Sequence, residues 1–210
     1  MLLTHMVRTA ALLGFFALIS AWLVAVTFDV TETPIATSEK KALLRNLHEL
    51  IPSTLHNNDL FSDVISVQDR FYLGSNKPQR VFRARHNSQP VALTIESVAP
   101  DGYGGNIFLL IAIRYDGSLL GVRVNKHKET PGLGDGIEIE RSDWILDFNN
   151  KSLSNPNKPG WRVEKDGGEF DQFTGATITP RAIVKAVHRS LQYYQQHRDS
   201  LFAETTGQGN

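Results

Sequence analysis

From Thr9 to Phe28 the chain carries no ionisable side chain, and the run AALLGFFALISAWLVAVTF sets Leu, Phe, Ile, Val and Trp on every side of a helix. At about 1.5 Å rise per residue, this stretch matches a hydrocarbon core of roughly 30 Å. The pattern predicts a membrane span over 9–28. Before it lie the amino terminus, His5 and Arg8; after it come Asp29 and Glu32, with Lys40 and Lys41 further on. The positive-inside bias then places residues 1–8 in the cytoplasm and everything beyond Asp29 outside. A cleaved signal peptide is the other reading, with Ala25 and Thr27 as small residues near a cleavage point. The run is longer than a usual signal core and no strong A-x-A site follows, which favours an anchor that is kept. Both readings export the rest of the chain.

The next apolar stripe is helical. Ala42, Leu43, Leu47, Leu50 and Ile51 recur at helical spacing, Ser38 is placed to cap and Pro52 to stop, so a helix is expected over 38–51. Between Pro52 and Pro78 the pattern is mixed, with Asn57, Asn58, Gly74 and Asn76 as breakers, and 29–78 reads as a connecting helix and linker. The period then changes to two. Val81–Arg85, Val91–Ile95, Ile107–Tyr115 and Leu119–Val124 read as strands, the last two joined at Asp116-Gly117. A short helix over Arg141–Phe148, a possible strand at Trp161–Val163 and a turn at Asp166-Gly167-Gly168 follow. Near the end, Thr179 is placed as N-cap and Pro180 as first helical residue. Ile183, Val184, Val187, Leu191 and Tyr194 then repeat at three and four residues, so a helix should run to near Ser200. Strands in one run with helices at the ends indicate an α+β domain over 79–200, an antiparallel sheet flanked by helices, with a flexible tail over 201–210.

Composition narrows the chemistry. With 22 Lys+Arg against 22 Asp+Glu and no run of five or more Lys or Arg, the chain has no footprint for a polyanion, so no nucleic-acid partner is expected. There is no cysteine, which removes disulfides, thiol catalysis, Cys-ligated zinc and iron–sulfur clusters together. A redox role would need an organic cofactor. The 210 residues suffice for about one sizeable domain.

Three loops carry the candidate chemistry. Asp101-Gly102-Tyr103-Gly104-Gly105 is glycine-packed immediately before a strand, suiting either a close backbone approach to a ligand or a plain turn. His127–Gly136 holds three glycines and Pro131, a loop that can wrap a flat group with backbone amides, Glu129 and Thr130, or merely connect elements. His127 and Glu129 lack a third ligand nearby, so no metal site is expected. Asp171–Pro180 leads into the last helix, where free amides, the positive end of the helix dipole and the hydroxyls of Thr174, Thr177 and Thr179 suit an anion such as phosphate. Taken alone, Thr179 reads more simply as a cap. Neither a Walker loop nor a Gly-x-Gly-x-x-Gly turn is present, which disfavours ATP and NAD sites. No catalytic residue is assigned.

The stretches DGYGG, YDGSLLGVRVNKHKETPGLGD and KDGGEFDQFTGATITPRAIVKAV, with the membrane helix ahead of them, resemble the FMN-binding domain family of the G subunit of the ion-translocating Rnf (Rsx) electron transport complex. The C subunit of the sodium-pumping NADH:quinone reductase shares the domain type. The most specific piece is the flavinylation motif D-x-x-T-G-A-T, which runs here from Asp171 to Thr177. The resemblance implies one covalent FMN per chain, its phosphate esterified to Thr177 by a separate flavin transferase that uses FAD and magnesium. It also implies that Thr174, Gly175 and Ala176 lie near the phosphate or ribityl chain, and that Glu129, Thr130, Leu133 and Gly134 surround the ring. Lys165 is a candidate to neutralise reduced flavin, and Trp144 a candidate to stack on it. Asp171 is expected to be read by the transferase or to shape the turn.

The function so implied is electron transfer by a single-pass inner-membrane flavoprotein whose C-terminal domain is periplasmic. Its partners would be the other membrane subunits of a complex coupling NADH/ferredoxin redox chemistry to ion translocation, and it would show little or no activity alone. Two alternatives stand beside it: the same flavoprotein role in the quinone-reductase complex, and a non-redox exported module for a phosphorylated ligand.

Overall fold

The computed structural model describes residues 2–203, so the expected tail lies outside the described residues from 204 onward. The chain divides into two compact units, Met1–Leu44 and Arg45–Asn210. Helix α1 spans Leu2–Leu50. In the first unit its apolar side chains, Leu12, Phe15, Phe16 and Trp22 among them, are exposed along the helix, which is long and apolar enough to cross a membrane.

Where the sequence pattern predicts two helices, the structure has one, and Ser38 is interior to it instead of capping it. Pro34, inside the helix, removes a single backbone donor. Around it Thr27, Thr31 and Thr37 return their hydroxyls to carbonyls one turn back at 2.7–2.9 Å, and no glycine interrupts the stretch. The helix ends just before Pro52, as the pattern predicts.

The second unit is built on a five-stranded antiparallel sheet in the order β1-β2-β3-β4-β5. Its strands are β1 (Val64–Val67), β2 (Gln79–His86), β3 (Gln89–Gly102), β4 (Gly105–Arg114) and β5 (Leu119–Lys126). Registers such as Val81↔Ile95 and Ile95↔Ile111 align apolar residues across three strands. Ile107, Leu109, Ile111 and Ile113 point to one face, where they meet the core that includes Ile183, Val187, Leu191 and Tyr194 of helix α3 (Ile178–Phe202). Leu110 and Ala112 point the other way and are also buried. Leu47, Leu50 and Ile51, at the end of α1, are fully buried too, and Leu50 lies so close to β5 that a Cβ on Gly121 would stand 3.0 Å from it. A sheet covered on both faces explains why β4 reads IFLLIAI rather than alternating apolar and polar.

The mixed stretch before residue 79 supplies part of this sheet. β1 pairs with β2, and a one-turn helix α2 (Arg70–Leu73), capped by Asp69, packs against α3. The expected helix near Arg141–Phe148 is a 3-10 helix, Asp143–Phe148, capped by Ser142. Trp161–Val163 is not a strand. Trp161 closes the 3-10 turn Lys158–Gly160, and Val163 makes only an isolated bridge to Phe170.

α3 begins two residues before the expected start: Thr177 is its N-cap position and Ile178 its first residue. Thr179, placed by its sequence as the cap, is buried and gives its hydroxyl to the carboxylate of Glu129. Pro180 is tolerated in the first turn because amides there have no helical acceptor.

Candidate functional site

The sheet topology brings the three loops together. The β3–β4 turn and the end of β5 lie side by side, since Phe108 pairs with Lys126. Lys185 of α3 reaches Asp101 at 2.5 Å, which sets the start of that helix beside the same sheet end. A cavity of about 310 Å³ opens among them, lined by Tyr103 from the first loop, Glu129, Thr130, Leu133 and Gly134 from the second, and residues 175–179 from the third.

Glu129 joins the loops. It is only 5% exposed, takes the Gly104 amide on Oε1 at 2.8 Å and takes the Thr179 hydroxyl on Oε2. Glycines make this approach feasible. A Cβ on Gly104 would sit 2.0 Å from the Lys128 carbonyl oxygen, and one on Gly134 would sit 3.0 Å from the Glu129 side chain. The Glu129 amide donates to His127 Nδ1 at 3.0 Å, which leaves Nε2 as the protonated nitrogen, donating to Glu138 at 2.7 Å. The loop then turns on itself: the amides of Leu133 and Gly134 return to the Thr130 carbonyl, and Gly132 adopts φ +77.

The third loop makes a tight turn. Ala176 N–H returns to the Phe173 carbonyl at 3.1 Å with Gly175 at φ +83, a backbone angle that favours glycine. Thr177 follows, half-buried, and its hydroxyl makes no capping hydrogen bond. The Glu164–Asp166 turn is tied to the first turn of α3 by Arg181, which grips Asp166 at 2.6 and 2.8 Å. That pairing, chiefly the guanidinium hydrogen bonds, lowers the Asp166 carboxyl below its usual range and raises Arg181 above its own.

Not every expected residue reaches the cavity. Thr174 is exposed on the tip of the turn. The Lys165 side chain is exposed, and its backbone amide donates to Gln172 Oε1. The Asp171 carboxylate takes the Gln172 amide at 2.7 Å, a turn-shaping contact. Trp144 is a buried strut: it packs edge-on against Phe148 and Phe173, and its indole N–H donates to the Asp171 carbonyl at 2.9 Å. In exchange the cavity gains Tyr103, Ile178 and Thr179. For Tyr103 the sequence signal is its place within a glycine loop; for Ile178 none separates it from a helix core residue. A larger cleft, about 520 Å³ beside Asp116, Tyr194 and Arg198, shares no residue with this site. Among the described residues no group of three or more His, Asp or Glu could hold a metal ion.

The family model of the FMN-binding domain matches residues 102–192, which contain every lining residue of the cavity, and the model of the RnfG N-terminal region matches residues 1–50. A relative from Pseudoalteromonas atlantica is 45% identical over 93% of this chain and 91% of its own length. Relatives from Shewanella piezotolerans (45%, over 94% and 93%) and Vibrio cholerae (45%, over 95% and 95%) are similar throughout as well. All three are named as the G subunit of an ion-translocating oxidoreductase complex. The chain belongs to this RnfG family. It is thus a subunit of an ion-translocating oxidoreductase with an FMN-binding domain.

The cavity fits FMN on its own terms. Its volume lies at the lower end for small-molecule sites, suiting a partly open one. Leu133, Ile178 and Tyr103 present apolar surface of the kind a flat ring covers, each about half exposed or more. The start of a 25-residue helix offers amides and a dipole to a phosphate, next to a hydroxyl that caps nothing.

Proposed function

We propose that the chain is a membrane-anchored electron carrier whose FMN is fixed through a phosphodiester to Thr177. The observation that carries this reading is the position of the Thr177 side chain: at the head of α3, lining a cavity of cofactor size, and without a capping bond. In attachment, the Thr177 oxygen bonds to the flavin-side phosphorus of FAD. The pyrophosphate bond breaks, AMP leaves, and the hydroxyl proton passes to a base of the transferase. An unactivated threonine hydroxyl cannot do this alone, so the metal and the base belong to that enzyme.

Once attached, FMN supplies one- and two-electron redox chemistry. The chain's own residues hold and tune it. The amides of Ile178 and Thr179, in the first turn of α3 at the cavity, would donate to the phosphodiester, and the dipole of α3 would add to them. Leu133 and Ile178 would give the flavin apolar cover from water, and the Thr130 hydroxyl would offer it a hydrogen bond. The other subunits of the complex are its donor and acceptor, and activity of the isolated chain is expected to be slight. α1 is read as the anchor, with residues 1–8 cytoplasmic and the second unit periplasmic, by the bias of Arg8 and His5 against Asp29 and Glu32. Covalent attachment suits an exported domain, because a dissociating cofactor would be lost by dilution.

The test is co-expression of the full chain with a flavin transferase, followed by a denaturing gel viewed under ultraviolet light. A fluorescent band is expected for the wild type and none for Thr177→Ala. A fluorescent Thr177→Ala band would overturn the site. Absence of flavin in the wild type under every maturation condition would favour the non-redox ligand-binding module.

A further inference from the structure

The cavity contains a buried carboxylate that flavin attachment, as proposed above, does not itself require. Glu129 is 5% exposed, yet among the described residues its side-chain partners are an amide and a hydroxyl, with no cation in the set. Burying a carboxylate with neutral donors alone is costly, and a packing post at this position would be served as well by leucine. What the carboxylate does that leucine cannot is reach two elements at once. Oε1 holds the Gly104 amide in the β3–β4 turn, and Oε2 holds Thr179, two residues beyond Thr177 in the first turn of α3. Glycines clear the way on three sides: a Cβ on Gly102 would lie 2.9 Å from Oε1, one on Gly134 3.0 Å from Oε2, and one on Gly104 would strike the Lys128 carbonyl. Behind it, His127 fixes the Glu129 amide.

We propose that Glu129 is a positioning residue: by clamping Thr179 to the β3–β4 turn it fixes the first turn of α3, and so presents the Thr177 hydroxyl to the cavity for flavin attachment. This rests on attachment at Thr177. The physical ground is that group transfer to a hydroxyl depends on its placement to within about an ångström. Without the clamp the side-chain ties left near the start of α3, among the described residues, are the exposed pairs Arg181–Asp166 and, a turn further on, Lys185–Asp101.

The experiment compares four variants of the full chain, Thr179→Val, Thr179→Ser, Glu129→Leu and Glu129→Gln, with wild type as substrates of a flavin transferase. Initial rates of flavin incorporation are measured with FAD and magnesium, alongside thermal melts of the flavin-free protein. Valine and leucine keep the volume and remove the bond. Serine keeps the hydroxyl. Glutamine keeps both contacts, its carbonyl toward Gly104 and its amide toward a Thr179 oxygen that can accept. Thr179→Val and Glu129→Leu are expected to lower the maximal rate about tenfold or more at temperatures well below their melts. Thr179→Ser and Glu129→Gln are expected to restore it. Folded Thr179→Val labelled at the wild-type rate would overturn the proposal, as would Thr179→Ser labelled as slowly as Thr179→Val. If Thr179→Val does not fold, Gly134→Ala decides. Its methyl would press on Glu129 at 3.0 Å and on Thr179 Oγ1 at 3.2 Å while leaving both hydrogen-bonding groups present. Slowed labelling supports the clamp, and labelling at the wild-type rate overturns it. A wild type that accepts no flavin overturns the attachment reading itself, which separates the two failures.

Discussion

At the scale of single residues, the loops of this site are held by close backbone approaches that only glycine permits. Gly104 leaves its amide for Glu129 while its α-carbon passes the Lys128 carbonyl, and an alanine there would place its Cβ 2.0 Å from that oxygen. Gly104→Ala should therefore lower the melting temperature by several degrees and reduce flavin incorporation, both read on the same purified protein. Trp144→Phe should cost about 1 kcal/mol in chemical denaturation, chiefly the loss of one part-buried hydrogen bond to the Asp171 carbonyl. Such contacts are partly legible in the sequence. The Glu129 loop and the Gly175–Thr177 segment carry motifs and lie together at the cavity. Thr179 reads as a cap, because nothing in a linear string shows a carboxylate fifty residues away taking its hydroxyl. Trp144 is ambiguous for a similar reason: stacking on a ligand and bracing a loop use the same residue type.

At the scale of elements, strand-length apolar runs bounded by turn residues expose β2 to β5, β4 as a near-continuous run, and helical spacing exposes α3, since each buries enough apolar positions to leave a pattern. β1 escapes because four residues are too few to show one, and α1 looks like two helices because the apolar run stops at Phe28 and Ser38 has the character of a cap. The closing turn of α1 matters to the sheet. Leu47, Leu50 and Ile51 are at most 3% exposed. A chain truncated to begin at Ser53 should lose about 5 kcal/mol relative to one beginning at Lys41, measured by urea unfolding. α3 carries a pH dependence of its own. His188 stacks on Trp161 at 5.3 Å, and burial, with a smaller contribution from Lys158, holds its pKa below the usual histidine value. The folded state then resists a proton that the unfolded chain accepts, so stability is full above about pH 6.5 and falls as the pH drops through the histidine range. His188→Gln should flatten that part of a melting-temperature profile taken between about pH 7.5 and pH 5; an unchanged slope would assign it to other groups.

As a whole, the molecule is a subunit of an ion-translocating oxidoreductase with two distinct jobs in one chain: an apolar helix long enough to anchor it, and an FMN-binding unit with a cavity that three loops build at one end of a sheet. The absence of cysteine is compatible with the proposed reading, in which an exported domain carries its electrons on an organic group. The measurement that bears most directly on this is peptide mass spectrometry of the full chain, purified after co-expression with a flavin transferase and digested under denaturing conditions. A single FMN phosphodiester is expected on the peptide containing Thr177, lost in Thr177→Ala while the melting curve of the flavin-free protein stays that of the wild type. A flavin released by denaturation, or one attached to any other residue, would contradict covalent attachment at Thr177.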